Sequence, residues 1–210
     1  MNETLDNLSD EELLRQMLAG DGAAFARLYQ RWQSSVYRFT LRMSGSEAMA
    51  EDVTQDVFLT LMRDGGQYTG RGKFAAYILT MARHSMLRRL HRERRFIALE
   101  KDDREEESDD LHMDGQFIAE TDPLAELTRN EMVDAVRQAV SGLPLHYREV
   151  VLLCHLHELG YQEAAEVIGC EIGTVCSRLY RARALLAKRL SALKPETAPQ
   201  MNLNLARCPA

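Results

Sequence analysis

Cys176, Ser177, Tyr180 and Arg181, flanked by Arg178 and Arg183, fall on one side of a helical pattern that runs from roughly Thr174 to Leu190. Hydroxyls, a phenol ring and guanidinium forks are the groups that read base edges in a major groove and hold phosphate oxygens. On the opposite side Val175, Leu179, Ala182 and Leu186 recur at i, i+4, i+7 and i+11, the spacing of a buried stripe. A shorter helical pattern, Tyr161 to Ile168, precedes it across a tight connection holding Gly169 and Gly173, and the two together outline a helix-turn-helix. Taken alone, the second helix fits an ordinary solvated surface helix equally well; the turn and the first helix weigh toward DNA.

A second basic cluster lies earlier. Arg83, Arg88, Arg89, Arg92, Arg94 and Arg95, with His84 and His91, concentrate positive charge at the end of a helix predicted from Phe74 to about Arg95. Tyr68, Phe74 and Tyr77 stand near its start, and rings beside cations suit single-stranded nucleic acid, whose bases stack while its phosphates are neutralised. Compensation of the helix dipole, or a solvated face, is the alternative reading. The preceding DGGQYTGRGK, Asp64 to Lys73, is a glycine-rich loop, but it lacks the GxxxxGK[ST] pattern and a strand before it, which excludes a nucleotide-binding loop. A third candidate surface lies on the helix predicted from Glu47 to Arg63 with Ser46 as its cap. Ala50, Val53, Val57 and Leu61 form its buried stripe, while Asp52, Gln55, Leu59 and Met62 make a mixed ridge that suits a protein partner or, alternatively, faces water.

The elements that must carry these groups are all helical. Helices are predicted over about Asp10–Ala19, with Ser9 and Glu12 matching a capping box and Gly20 a stop, and from Gly22 onward with Asp21 as cap and Phe25, Leu28, Tyr29 and Trp32 as core. At Glu100 the composition turns to EKDDREEESDD, an acidic block unable to bury a core, so Phe96 to Thr121 reads as a flexible linker. Asp122 and Pro123 restart helix, Leu143-Pro144 ends it, and a further helix of about Leu145–Glu158 leads into the helix-turn-helix, with a tail from Pro195. The expected fold class is therefore all-α: two small helical domains joined by an acidic flexible linker, the second containing the helix-turn-helix. The domain boundaries are 1–95, linker 96–121, 122–194 and tail 195–210.

Composition bounds the function. A net charge of −6 over 210 residues argues against a protein that coats nucleic acid unaided, so local basic patches must act with a larger partner. No apolar run approaches the roughly 20 residues that span a bilayer, and the acidic start is no signal peptide, which predicts a cytoplasmic protein with no membrane insertion of its own. Four cysteines without a CxxC pair read as reduced thiols. No catalytic residue, metal site or cofactor is predicted: there is no nucleophile with its base, and Cys154 with His157 falls short of the three or four ligands a zinc ion takes.

At this point the segments fit a known pattern. GDGAAFARLYQRW, AEDVTQDVFLTLMR and FAAYILTMARHSMLRRLHRERR resemble the second conserved region of bacterial RNA polymerase sigma factors of the extracytoplasmic-function type, within the sigma-70 family. DPLAEL, followed by LPLHYREVVLLCHLHELGYQEAAEVIGCEIGTVCSRLYRARALL, resembles the fourth region. The resemblance implies promoter-specific initiation with core RNA polymerase. Asp52, Gln55, Asp56 and Leu59 would meet the beta-prime clamp helices. Tyr68, Phe74, Tyr77, Arg83, His84, Arg88 and Arg89 would melt and hold the minus-ten element. Thr174, Cys176, Ser177, Arg178, Tyr180, Arg181 and Arg183 would read the minus-thirty-five duplex, in a module that also touches the beta flap. It further implies control by an anti-sigma factor and a linker that threads the polymerase. The chain departs from the pattern where Tyr77 replaces tryptophan, His84 asparagine, Cys176 a basic residue and Ala164 a larger aliphatic. Competing readings are a sigma-like decoy that titrates an anti-sigma factor, and a stand-alone helix-turn-helix regulator.

Overall fold

Capping chemistry sets the helix boundaries of the N-terminal part. In the computed structural model, which describes residues 8–68, 73–100 and 125–193, the Ser9 hydroxyl accepts from the Glu12 amide and opens α1 (Asp10–Leu18). The Asp21 carboxylate accepts from the amides of Ala23 and Ala24 and opens α2 (Gly22–Ser44). This helix stops at Gly45, whose left-handed φ of 72° lets its amide return to the Leu41 carbonyl. Ser46 then caps α3 (Glu47–Asp64) through the Met49 amide. All three caps stand where the sequence placed them.

The chain forms two compact units, the first built from the chain up to Asp109 and the second from most of the remainder. In the first, α2 packs against α1, α3 and α4 (Phe74–Glu100). The core takes Leu13 from α1, Leu28, Val36 and Phe39 from α2, and Ile78, Leu79 and Met86 from α4, all fully buried. The predicted stripe of α3 is buried throughout, with Ala50, Val53, Val57 and Leu61 at most 1% exposed. Each such aliphatic side chain contributes about 1.5–3 kcal/mol of burial. Tyr29, expected in the core, is 37% exposed and lies against Phe58 at 4.7 Å between ring centroids.

Two boundaries differ from expectation. α4 continues to Glu100, past the predicted end at about Arg95 and into the stretch assigned to the linker. Phe96 to Leu99 contain no proline or glycine to end a helix, and the dense acidic run begins only afterwards. The rest of that run, the Asp122–Pro123 cap and the tail from Pro195 lie outside the described residues. The glycine-rich segment opens with a short 3₁₀ turn, Gly65–Gln67.

In the second unit, α5 (Ala125–Ser141) and α6 (Leu145–Val151) pack on α8 (Ile172–Leu193). The buried Arg148 side chain donates from Nη2 to the carbonyls of Ser141 and Leu143, satisfying acceptors left over at the end of α5. The helix predicted over Leu145–Glu158 does not stay α-helical: after Val151 it widens into a π-turn, Leu152–Leu156, where the His157 amide reaches back five residues to Leu152. Glu158 then takes a positive φ of 54°, and the Leu159 amide reaches the Leu153 carbonyl. α7 (Tyr161–Ile168) has its predicted length and ends at Gly169 with φ 77°. α8 begins two residues before Thr174 and reaches Leu193. Along it Val175, Leu179 and Ala182 are buried and Leu186 half-buried, as the periodicity required. Among the described residues there are eight α-helices and no strand, so the all-α expectation holds.

Candidate nucleic-acid interface

Two aromatic rings form a layer at the start of α4. Tyr68 follows the 3₁₀ turn and lies 4.9 Å from Tyr77, centroid to centroid. Phe74 meets Tyr68 edge-on at 5.8 Å and Trp32 at 5.7 Å. Phe74 is only 2% exposed, so it is the floor of the cluster, whereas Tyr68 and Tyr77 are half-buried and form its outer layer. The Tyr68 hydroxyl donates to Glu11 Oε1 at 3.3 Å, tying the layer to α1. Burial, followed by Glu11, raises the Tyr68 phenol above its ordinary value; burial, followed by Asp64, does the same to Tyr77. Both rings therefore stay neutral and present no negative charge to a nucleic acid.

The basic residues of α4 divide around the helix. Tyr77, His84 and Arg88 stand at i, i+7 and i+11 and share one face, on which His84 and Arg88 are exposed. Arg83 is half-buried. Arg89, about 100° around from Arg88, points instead to α3. Its Nη1 donates to Asp52 Oδ2 at 2.7 Å, and its Nη2 donates to Asp56 Oδ2 at 2.6 Å. The sequence had assigned Arg89 to nucleic acid and the two aspartates to a protein; the structure brings all three together.

The ridge on α3 combines these carboxylates with apolar side chains. Leu59 is 64% and Met62 54% exposed, beside Asp52, Gln55 and Asp56. Burial alone would raise the Asp56 carboxyl, but hydrogen bonds from Arg89 and Ser85 and the charge of Arg89 outweigh it and hold Asp56 below its ordinary value. An open cleft of about 560 Å³ adjoins this surface, lined by Tyr29, Tyr37, Arg38, Glu51, Thr54 and Gln55. Sequence reasoning missed Ser85 and Glu11 as supports. Ser85 stands one turn before Arg89, a spacing that places both toward α3 once that face of α4 is known.

On α8 the candidate reading face is Tyr180, 67% exposed, with exposed Ser177 and Arg181 and half-buried Thr174, Arg178 and Arg183. The Ser177 hydroxyl donates to the Thr174 carbonyl at 3.0 Å. Arg183 Nη2 approaches His155 Nε2 at 3.3 Å; His155 is delivered by the π-turn and was not among the predicted contacts. Burial, followed by the Arg183 charge, lowers the His155 imidazole and keeps it neutral, able to accept from that guanidinium. Burial pushes the neighbouring Cys154 thiol up to about 11 against the opposing effect of Arg183. Cys154 and Cys170 are free thiols. Cys176, expected to be reduced, is instead disulfide-bonded; spacing along a chain does not reveal which distant sulfurs meet. Among the described residues no three His, Cys, Asp or Glu side chains converge on a metal-sized site, and no helix is long and apolar enough to cross a membrane.

Comparison with known proteins covers both units. Residues 28–96 match the family model of Sigma-70 region 2, and residues 134–186 match that of Sigma-70, region 4. The chain is 26% identical over 181 residues to the ECF RNA polymerase sigma factor SigW of Bacillus subtilis, spanning 86% of this chain and 96% of that one. It is 30% identical over 173 residues to the probable RNA polymerase sigma-C factor of Mycobacterium bovis, spanning 80% and 84%. Its fold is similar to that of the sigma factor RpoE from Bartonella quintana, solved in complex with the anti-sigma factor NepR. That match has a TM-score of 0.61 at 23% identity and covers 81% of this chain and 98% of that one.

Proposed function

The chain belongs to the sigma-70 family as a sigma factor of the extracytoplasmic-function type acting in transcription initiation, and we propose that its two units divide that work as follows. The ridge of Asp52, Gln55, Asp56 and Leu59, extended by exposed Met62, docks on the beta-prime clamp helices of core RNA polymerase. The Tyr68–Tyr77 layer, with Arg83, His84 and Arg88, takes the melted minus-ten strand, its neutral rings stacking on bases while the cations follow phosphates. Phe74 supports that layer from below. Arg178, Tyr180, Arg181 and Arg183, with Thr174 and Ser177, read the minus-thirty-five duplex. The second unit also meets the beta flap. Cys176, its sulfur already bonded, contributes no hydrogen bond to a base. An anti-sigma factor covers the polymerase-binding surfaces, the protein acts in the cytoplasm, and it catalyses no reaction of its own.

The observation that carries this reading is the occurrence of region 2 and region 4 in one chain and in that order. Run-off transcription on genomic DNA tests it. Core polymerase with the full chain is expected to start at a restricted set of sites that share upstream and downstream elements, and core alone is not. A chain that binds core but opens no promoter would be a decoy; one that binds DNA and ignores core would be a stand-alone regulator.

A further inference from the structure

Arg89 has the sequence neighbourhood of a DNA-binding cation, yet its guanidinium is engaged within the first unit. In addition to the contacts from Nη1 and Nη2, its Nε donates to Asp56 Oδ2 at 3.1 Å, and the Ser85 hydroxyl donates to the same oxygen at 2.9 Å. Asp52 and Asp56 stand four residues apart on one helix, where two like charges repel across a single turn. A guanidinium between them removes that repulsion and orients both carboxylates. In each aspartate it is Oδ2 that is taken; Oδ1 accepts no hydrogen bond from the described residues. The two side chains remain 57% and 40% exposed, while Arg89 is 26% exposed. The cation is thus the inner member of the cluster and the carboxylates are the outer members.

We propose that Arg89 is a positioning residue of the acidic ridge. It holds the Asp52 and Asp56 carboxylates so that their second oxygens meet cationic donors on a basic helical surface of the polymerase, while Leu59 and Met62 take its apolar groups, and it makes no contact with promoter phosphates. The inference rests on the docking role given above to the ridge. It moves one arginine of α4 from the nucleic-acid interface to the protein interface.

Titration of the full-length chain against core polymerase, paired with the salt dependence of promoter binding by the holoenzyme, separates the two roles. Arg89→Gln is expected to weaken core binding roughly tenfold, the loss of one charge-assisted hydrogen-bond set. In an Asp56→Asn background it is expected to add little, because the two residues act as one unit. The slope of log affinity for promoter against log salt is expected to fall by about one for Arg88→Gln and to stay unchanged for Arg89→Gln. Unchanged core affinity of Arg89→Gln, or a slope reduced by about one, overturns the proposal. Should Arg89→Gln lower the melting temperature too far for titration, Ser85→Ala decides. Removing one neutral donor from Asp56 should weaken core binding about two- to threefold, and no change overturns the proposal. If Asp56→Asn itself leaves core affinity intact, the docking reading is what fails, and this proposal falls with it.

Discussion

Phe74 and Tyr77 are three positions apart and carry similar rings, but their surroundings assign them opposite tasks. Phe74, fully enclosed between Trp32 and Tyr68, should behave as core: Phe74→Ala is expected to cost about 3–5 kcal/mol in a urea melt. Tyr77 has a face to offer. Tyr77→Ala should leave the urea midpoint nearly unchanged and weaken capture of a melted minus-ten strand by about 1–3 kcal/mol, read as lost permanganate reactivity of the promoter bubble, with Tyr77→Phe retaining most of it. Asp56 gives a prediction in pH. Its carboxyl is held below its ordinary value in the folded chain, chiefly by Arg89 and Ser85 working against burial. The unfolded chain therefore binds that proton more readily, and the stability contributed by Asp56 is complete above the unfolded value of 3.8 and lost as pH falls through the folded one. The difference in urea midpoint between the native chain and Asp56→Asn should be flat above about pH 5 and shrink below about pH 4. Individual roles of this kind were only half legible. Helical spacing names the residues of a face, but it does not show which face of α4 meets α3, and Arg89 and Asp56 are 33 positions apart.

Whole helices were the best-read level of organisation. Ser9, Asp21 and Ser46 announce their helices because a short polar side chain satisfies orphan amides in a way few residues do, and the stripes of α3 and α8 follow from a 3.6-residue period that burial then obeys. What sequence did not disclose were the features set by long-range fit. These include the extension of α4 to Glu100, the widening of the helix after Val151, and the bond on Cys176. The consequence for α8 is specific. Its reading face rests on Tyr180 and Arg181, with Arg183 steadied by His155 from the π-turn. Arg181→Ala is expected to remove about 1–3 kcal/mol of discrimination at the upstream element while core binding is retained. DNase footprinting of the holoenzyme would show the upstream protection fade and the downstream protection persist; an unchanged upstream footprint would refute the assignment.

For the chain as a whole, a net charge of −6 sets a limit on what it does alone. Its cations are gathered on α4 and α8, while carboxylates elsewhere repel a polyanion, so the free protein should bind promoter duplex weakly and lose that binding quickly as salt rises. Gel retardation at about 50 and 200 mM salt is expected to show a complex for the free chain at most at the lower value, and for the holoenzyme at both. A robust salt-resistant complex of the free chain would show that its hold on DNA is not borrowed. The π-turn at Leu152–Leu156 has a consequence of another order. A π-turn is an α-helix with one residue too many, and each residue advances a helix by about 100°. Deleting a single residue there would straighten the segment and swing everything that follows, Gly160, α7 and α8, by roughly that angle about the axis of α6. Insertions and deletions accumulating in this lineage should therefore spare that stretch more strictly than its unremarkable leucines suggest, since the spare residue works as the protractor by which the reading helix is aimed.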